Sequence, residues 1–381
     1  MTAQVLKREA FPLGFALFSM FFGAGNIIYP LAVGHAAGDK VLYAMLGLIL
    51  TAAFIPIAGF IAMILFQGDF RAFFGRLGKL PGFVLALTII SLLGPLGSTP
   101  RCIALAYATI KGAGLSLSPL LFNSAACLLI FVCCFKKKYI LKILGAFLTP
   151  LLLISLFAIT FLGLTTASAA HAVSASSFSL FLHGIVEGYN TMDLLAAFFF
   201  SSSMIALLQE KEDMERCPMR TAFFASMIGA LLLTAVYAGF SAIASFHGNT
   251  LQLIGSEEIL SKLTLKLAGP YAGFLVCVTI ALACLTTAIA LISAFCDFIQ
   301  KECLPTISYS SILAGALLVT FVIASFEFTG ISAFLFPILR VCYPSLILLT
   351  FLNIAFKLVG FKPVKTPIAL LFLATIVALF Y

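Results

Sequence analysis

Apolar residues run along this chain in blocks of roughly 17–28, long enough to be membrane helices. They lack the every-other-residue alternation of barrel strands. Breaks rich in charge or in Pro, Gly and Ser divide the blocks into about eleven spans: 10–34, 41–66, 82–110, 118–135, 139–164, 178–208, 220–246, 268–298, 306–326, 331–356 and 366–381. Crossing the hydrocarbon core takes ~20 apolar residues, because lipid cannot satisfy exposed backbone groups. The longest breaks, near 165–177, 209–219 and 247–267, are too short for a folded soluble domain. The pattern predicts an all-α polytopic membrane protein, with residues 1–381 forming one transmembrane domain.

Composition agrees. Of 381 residues, 62% are hydrophobic and 9% charged, against ~25% charged in a soluble domain. The net charge of +8 speaks to topology rather than to nucleic acid. With the N-terminus in the cytoplasm, Lys7, Arg8, Arg71, Arg76, Lys79, Lys136, Lys137, Lys138, Lys142, Lys211, Arg216, Arg220, Lys301, Lys357, Lys362 and Lys365 fall inside. Only Lys40, Lys111, Lys262 and Lys266 fall outside. The positive-inside rule selects this orientation, and an odd span count puts the C-terminus outside. The first apolar run follows Lys7-Arg8-Glu9 and is expected to be retained as a helix, not cleaved as a signal peptide.

Two spans carry weak helical sequence at their deepest point. MFFGAGNIIYP, from Met20 to Pro30, places Gly23, Gly25 and Asn26 near the middle of span one, where each Gly costs roughly 1 kcal/mol relative to Ala. GIVEGYNTMD, from Gly184, interrupts span six with Glu187, Gly188, Asn190 and Asp193. The breaks lie five spans apart. Two five-span units (about 8–164 and about 178–357, with an extra helix at about 366–381) would be mutually inverted, because each contains an odd number of spans. Paired interruptions in inverted halves point to a secondary transporter's binding site. Broken helices release N–H groups suited to a carboxylate and C=O groups suited to a cation. Helix packing through small residues also accounts for isolated glycines; the polar neighbours in both breaks favour binding.

Two further spans carry chemistry. In CLTTA of span eight, Thr286 and Thr287 can join the freed carbonyls of span one around a cation, although such hydroxyls also bond their own i−4 carbonyls. In GPLGSTPR of span three, Pro95 and Pro100 bend or open the helix. Arg101, ~15 Å below its outer end, needs a partner: Glu187 or Asp193 is the candidate, unless it snorkels. Arg340 in span ten raises the same question with no partner in view.

Enzyme motifs are absent: there is no HExxH, GxSxG or Walker sequence, and Gly78-Lys79 lacks the following Ser or Thr of a P-loop. The four histidines are scattered, and most of the ten cysteines lie inside spans as small apolar residues without CxxC spacing. No cofactor is expected beyond a coupling ion.

LGFALFSMFFGAGNIIYP, GPLGSTPR, EGYNTMD and CLTTA, in that order, resemble the signature segments of the bacterial branched-chain amino acid:cation symporters. The resemblance covers nearly the whole chain and includes the VCYPSLILL run from Val341. It implies the amino acid–polyamine–organocation superfamily, with a five-plus-five inverted-repeat fold and discontinuous helices one and six. It implies a multi-pass protein of the bacterial inner membrane that imports leucine, isoleucine and valine with sodium or protons. By similarity, Gly23, Ala24, Gly25 and Asn26 face the substrate carboxylate. Glu187, Gly188, Tyr189 and Asn190 contact its amino group and line the pocket. Ser19, Phe22, Ala283, Thr286 and Thr287 hold sodium, while Arg101 and Asp193 are coupling or ion-pair candidates. Two features depart from the family: eleven spans where twelve are usual, and Arg340. A transporter-like amino acid sensor, or a symporter for another neutral amino acid such as methionine, is the alternative reading.

Overall fold

The computed structural model describes residues 3–115, 117–135, 149–167, 169–209, 218–248 and 257–380. Lys136, Lys137, Lys138, Lys142, Lys211 and Arg216, together with the start of the fifth expected span, lie outside the described residues. Every regular element among the described residues is helical. Among the described residues, five continuous helical stretches are long and apolar enough to cross a membrane, and five further apolar helices are shorter.

The expected first span is divided into α1 (Ala3–Phe21) and α2 (Ala24–Ala37). The second is α3 (Val41–Ile49), a π-helical turn at Leu50–Phe54 and α4 (Ile55–Leu65). A short helix α5 (Phe70–Gly75) precedes α6 (Lys79–Leu93) and α7 (Ser98–Gly112), which are parted by a turn at Gly94–Gly97. The prolines of span three therefore coincide with an opened helix rather than a bend. Then follow α8 (Pro119–Phe135), α9 (Thr149–Thr165), α10 (Ser177–Asn190), α11 (Asp193–Gln209) and α12 (Pro218–Phe246). The last four are α13 (Ile259–Glu302), α14 (Tyr309–Ala324), α15 (Glu327–Val359) and α16 (Lys365–Phe380). A kink at Gly269 (φ 78°), next to Pro270, separates the expected eighth span from the first turns of α13.

Two long elements brace the broken helices. The α3–α4 unit packs along both α10 and α11, and α12 packs along both α1 and α2. Glycine makes both approaches close. A Cβ at Gly184 would stand 1.9 Å from Ala44 O, and one at Gly34 would stand 2.0 Å from Ser241 O. Any larger residue would force the helices apart, so small residues fix these spacings. Thr51, in the π-turn, donates to Gly47 O and across to Ile185 O, each at 3.1 Å, and Ser241 donates to Pro30 O at 3.0 Å. Helix α13 lies along α7 and also reaches α2, which brings the Thr286-Thr287 pair to the first break. At one edge Arg76 donates to Leu352 O, Asn353 Oδ1, Phe361 O and Lys362 O at 2.8–3.1 Å. It also lies 4.0 Å over the Phe356 ring, clamping the α15–α16 junction to the α5–α6 turn.

Candidate functional site

The first break is built by Gly23 and Asn26. Gly23 is extended (φ −115°, ψ −166°) ahead of α2. Its N–H donates to Asn26 Oδ1 at 2.9 Å, and Asn26 N–H returns to Gly23 O at 3.2 Å. The side chain thus substitutes for helical partners lost at the interruption. In the second break, Met192 holds φ 63° between α10 and α11, a left-handed conformation that L residues with side chains rarely adopt. Thr191 Oγ1 donates to Gly188 O at 2.9 Å, and Met192 N to Tyr189 O at 3.1 Å. Strain of this sort gathers at functional positions.

The breaks face one another. Asn26 Nδ2 donates to Asp193 Oδ2 at 2.7 Å, and Tyr237 Oη donates to the same oxygen at 2.8 Å; Asn26 Nδ2 also contacts Tyr237 Oη. Asp193 is the first residue of α11, where the helix dipole favours negative charge. The following amide, of Leu194, donates to Tyr343 Oη at 3.1 Å. All four of these side chains are buried.

Arg101 departs from expectation. The ion pair with Glu187 or Asp193 is not formed: among the described residues no carboxylate lies within 4.0 Å of the guanidinium. Instead Nη2 donates to Asn190 O at 3.0 Å, at the C-terminal end of α10, and Nη1 lies 3.5 Å from Met192 Sδ. The helix C-terminus offers the partial negative charge that a carboxylate would have supplied. The rings of Tyr29 and Phe328 lie 5.1 and 4.9 Å from the guanidinium carbon, within cation–π range. Glu187 turns elsewhere, accepting from Asn190 Nδ2 at 3.1 Å with His183 at 3.9 Å.

A second set of oxygens gathers beside the first break. Thr287 Oγ1 lies 3.0 Å from Phe22 O and 3.1 Å from Ala283 O, donating toward both, while Thr286 Oγ1 donates to Ala283 O at 2.7 Å. Four of the five predicted cation residues therefore form one linked group carrying no formal charge. Ser19 lies one turn earlier on α1 and is half-buried.

One cavity joins the two breaks, with about 350 Å³ of space not filled by atoms, counting the solvent it meets. Gly23, Ala24, Gly25 and Asn26 of the first break line it, together with Arg101, Asp193 and Thr287. The other predicted pocket residues lie off its wall. Gly188 is a packing residue, since a Cβ there would stand 1.9 Å from Thr51 Oγ1. Tyr189 stacks on Tyr343 with centroids 4.8 Å apart. Asn190 contributes its carbonyl to Arg101 rather than a side chain to the pocket. The wall is completed by Thr191 and Met192, with Met20, Phe21, Leu93, Ala196, Phe200 and Leu291 forming an apolar portion. Tyr237 could not be singled out from sequence, being one of several hydroxyls in an apolar run with its partner 44 residues away; Tyr343 lies in the VCYPSLILL run, but its partner is 149 residues away. Arg340 is exposed on α15, away from the cavity.

A family model described as "Branched-chain amino acid transport protein" matches residues 6–381. The chain belongs to this family. It is 28% identical over 396 aligned residues to a protein of Staphylococcus aureus (strain bovine RF122 / ET3-1) named as a branched-chain amino acid carrier, covering 97% of this chain and 88% of the relative. It is 29% identical over 351 residues to the branched-chain amino acid permease BrnQ of Corynebacterium glutamicum, covering 91% and 81%. The family's members are transport proteins, not enzymes. With its many apolar helices, this member of the family is a multi-pass membrane protein.

Proposed function

We propose that the chain is a secondary active symporter that imports leucine, isoleucine and valine across a bacterial inner membrane, coupled to sodium or proton entry by alternating access. One observation carries this reading. Two interrupted helices meet at Asn26 and Asp193, with helix ends, Arg101, Asp193 and the Thr287 member of the uncharged oxygen group all lining one cavity. Such a site recognises a small polar head, while Phe21, Leu93, Phe200 and Leu291 offer an apolar surface to an aliphatic tail. The names of the relatives support the branched-chain substrate.

The five-plus-five inverted repeat, with units near 8–164 and 178–357, is supported by how the broken helices are braced. Span two packs on both halves of span six, and span seven on both halves of span one. Swapping span one with six and span two with seven exchanges these two relationships. The oxygens of Phe22, Ala283, Thr286 and Thr287 suit a monovalent cation, which needs several neutral oxygens, and favour sodium as the driver. One charge crossing 100 mV supplies about 2.3 kcal/mol, equivalent to a ~50-fold gradient. The basic residues of the early loops support a cytoplasmic N-terminus.

Labelled leucine uptake into proteoliposomes, with sodium and pH gradients imposed separately, tests the proposal. Uptake driven by an inward sodium gradient is expected. Uptake driven only by a pH gradient would reassign the ion, and no uptake of any aliphatic amino acid under either gradient would overturn symport.

A further inference from the structure

The geometry points to a charge-paired head-group site in which Arg101 binds the α-carboxylate of a free amino acid and Asp193 its α-ammonium. This deepens the transport reading and rests on it for the substrate class. Arg101 is 2% exposed, and its Nε has no hydrogen-bond partner. Its side-chain hydrogen bonds go to a helix-terminal carbonyl and a thioether, neither of which carries a formal charge. Asp193 is equally buried, and no cation lies within 4.0 Å of it among the described residues; Asn26 and Tyr237 hold one of its oxygens. Two opposite buried charges thus line the same cavity without neutralising one another. Buried charges are costly unless paired, and a zwitterion placed between them pairs both.

The local geometry assigns the ends. Gly25 keeps the approach open: a Cβ there would stand 3.1 Å from Arg101 Nη2 and 3.0 Å from Thr191 Cα. The guanidinium therefore lies against the first turn of α2, whose leading amides belong to Ala24 and Gly25. Helix-start amides and a planar guanidinium both recognise carboxylates. Asp193, held by Asn26 and Tyr237, presents its carboxylate to an ammonium group. The apolar wall at Phe21 and Phe200 is left for the side chain, so head-group recognition is independent of tail shape.

Competition binding on purified full-length protein tests this, using L-leucine, leucinamide (no carboxylate) and 4-methylpentanoate (no ammonium). The wild type is expected to prefer leucine to either analogue by roughly 100-fold or more, as for a site built around a polar group. In Arg101→Gln the preference over leucinamide collapses while that over 4-methylpentanoate persists; Asp193→Asn gives the converse. If Arg101→Gln weakens leucine and leucinamide equally, Arg101 is only structural and the carboxylate assignment falls. A preference for leucine over 4-methylpentanoate that survives Asp193→Asn overturns the ammonium assignment. Should either variant fail to fold, Arg101→Lys and Asp193→Glu, which keep the charge but move it, are read by the same ratios. Leucine binding without uptake would overturn symport alone. Carboxylate-dependent binding of an unbranched amino acid instead would overturn only the branched-chain substrate. A wild type that binds no α-amino acid overturns the head-group site as well.

Discussion

Asn26 Nδ2 lies 2.7 Å from Asp193 Oδ2, so one hydrogen bond joins the interruptions of two helices 167 residues apart. Asn26 spends its other side-chain atom on the Gly23 amide. It therefore shapes its own break and holds the opposite one.

Asn26→Ala is expected to reduce leucine uptake at least ~10-fold. The substitution removes a hydrogen bond to a buried charge and leaves the Gly23 amide without its acceptor. Each hydrogen bond to a charged group contributes about 1.5–3 kcal/mol, and 1.4 kcal/mol is tenfold. Initial-rate uptake in proteoliposomes, normalised to reconstituted protein, is the check; wild-type rates would show that the bridge is dispensable.

Thr287 tests the oxygen group. Its hydroxyl is shared between Phe22 O and Ala283 O, linking α13 to the first break. Thr287→Ala should raise the sodium concentration for half-maximal uptake by roughly tenfold or more, the loss of about one charge-assisted contact. Thr287→Ser keeps the hydroxyl and should stay close to wild type. A sodium titration distinguishes them, and identical curves for all three proteins would remove α13 from the ion site.

The glycines along α10 have unequal neighbours. At Gly184 a Cβ meets the Ala44 backbone carbonyl, whereas at Gly188 it meets the Thr51 hydroxyl. The hydroxyl can rotate away, leaving Thr51 Cβ at 2.9 Å, whereas the packed Ala44 backbone cannot move, so Gly184→Ala should be the more damaging. Overpacking typically costs about 1–3 kcal/mol, which a thermal melt in detergent resolves. A lower melting temperature for Gly188→Ala than for Gly184→Ala would contradict this arrangement of α3 and α10.

Arg76 clamps one edge of the fold. Its four donated bonds and the Phe356 ring hold the α15–α16 junction. Arg76→Ala should lower thermal stability by about 2 kcal/mol or more, and Arg76→Lys should recover only part of it, because an ammonium cannot span the same fork. Protease cleavage near residues 360–364 should rise in step. Full stability in the Ala variant would show that the junction is held by helix packing alone.

The helical membrane architecture was legible in the sequence because its cause is local. An apolar block of spanning length must satisfy its own backbone in lipid, and Gly23, Gly25 and Asn26 announce a failure of that satisfaction wherever the rest of the chain lies. The likeness of both segments to a known family placed Phe22 and Thr287 around one cation; the structure puts the Thr287 hydroxyl 3.0 Å from Phe22 O. Partnership between distant side chains was another matter. Arg101 was expected on a carboxylate, yet the C-terminal carbonyl of α10 and two aromatic rings receive it. Gly188 was expected in the pocket, yet the approach of Thr51 makes it a contact between helices. Tyr237, one of several hydroxyls in an apolar run, became a partner of Asp193 only when α12 packed along both halves of the first broken helix. Residue type and spacing determine which groups the membrane cannot leave unsatisfied; only the tertiary packing of helices decides which groups satisfy them.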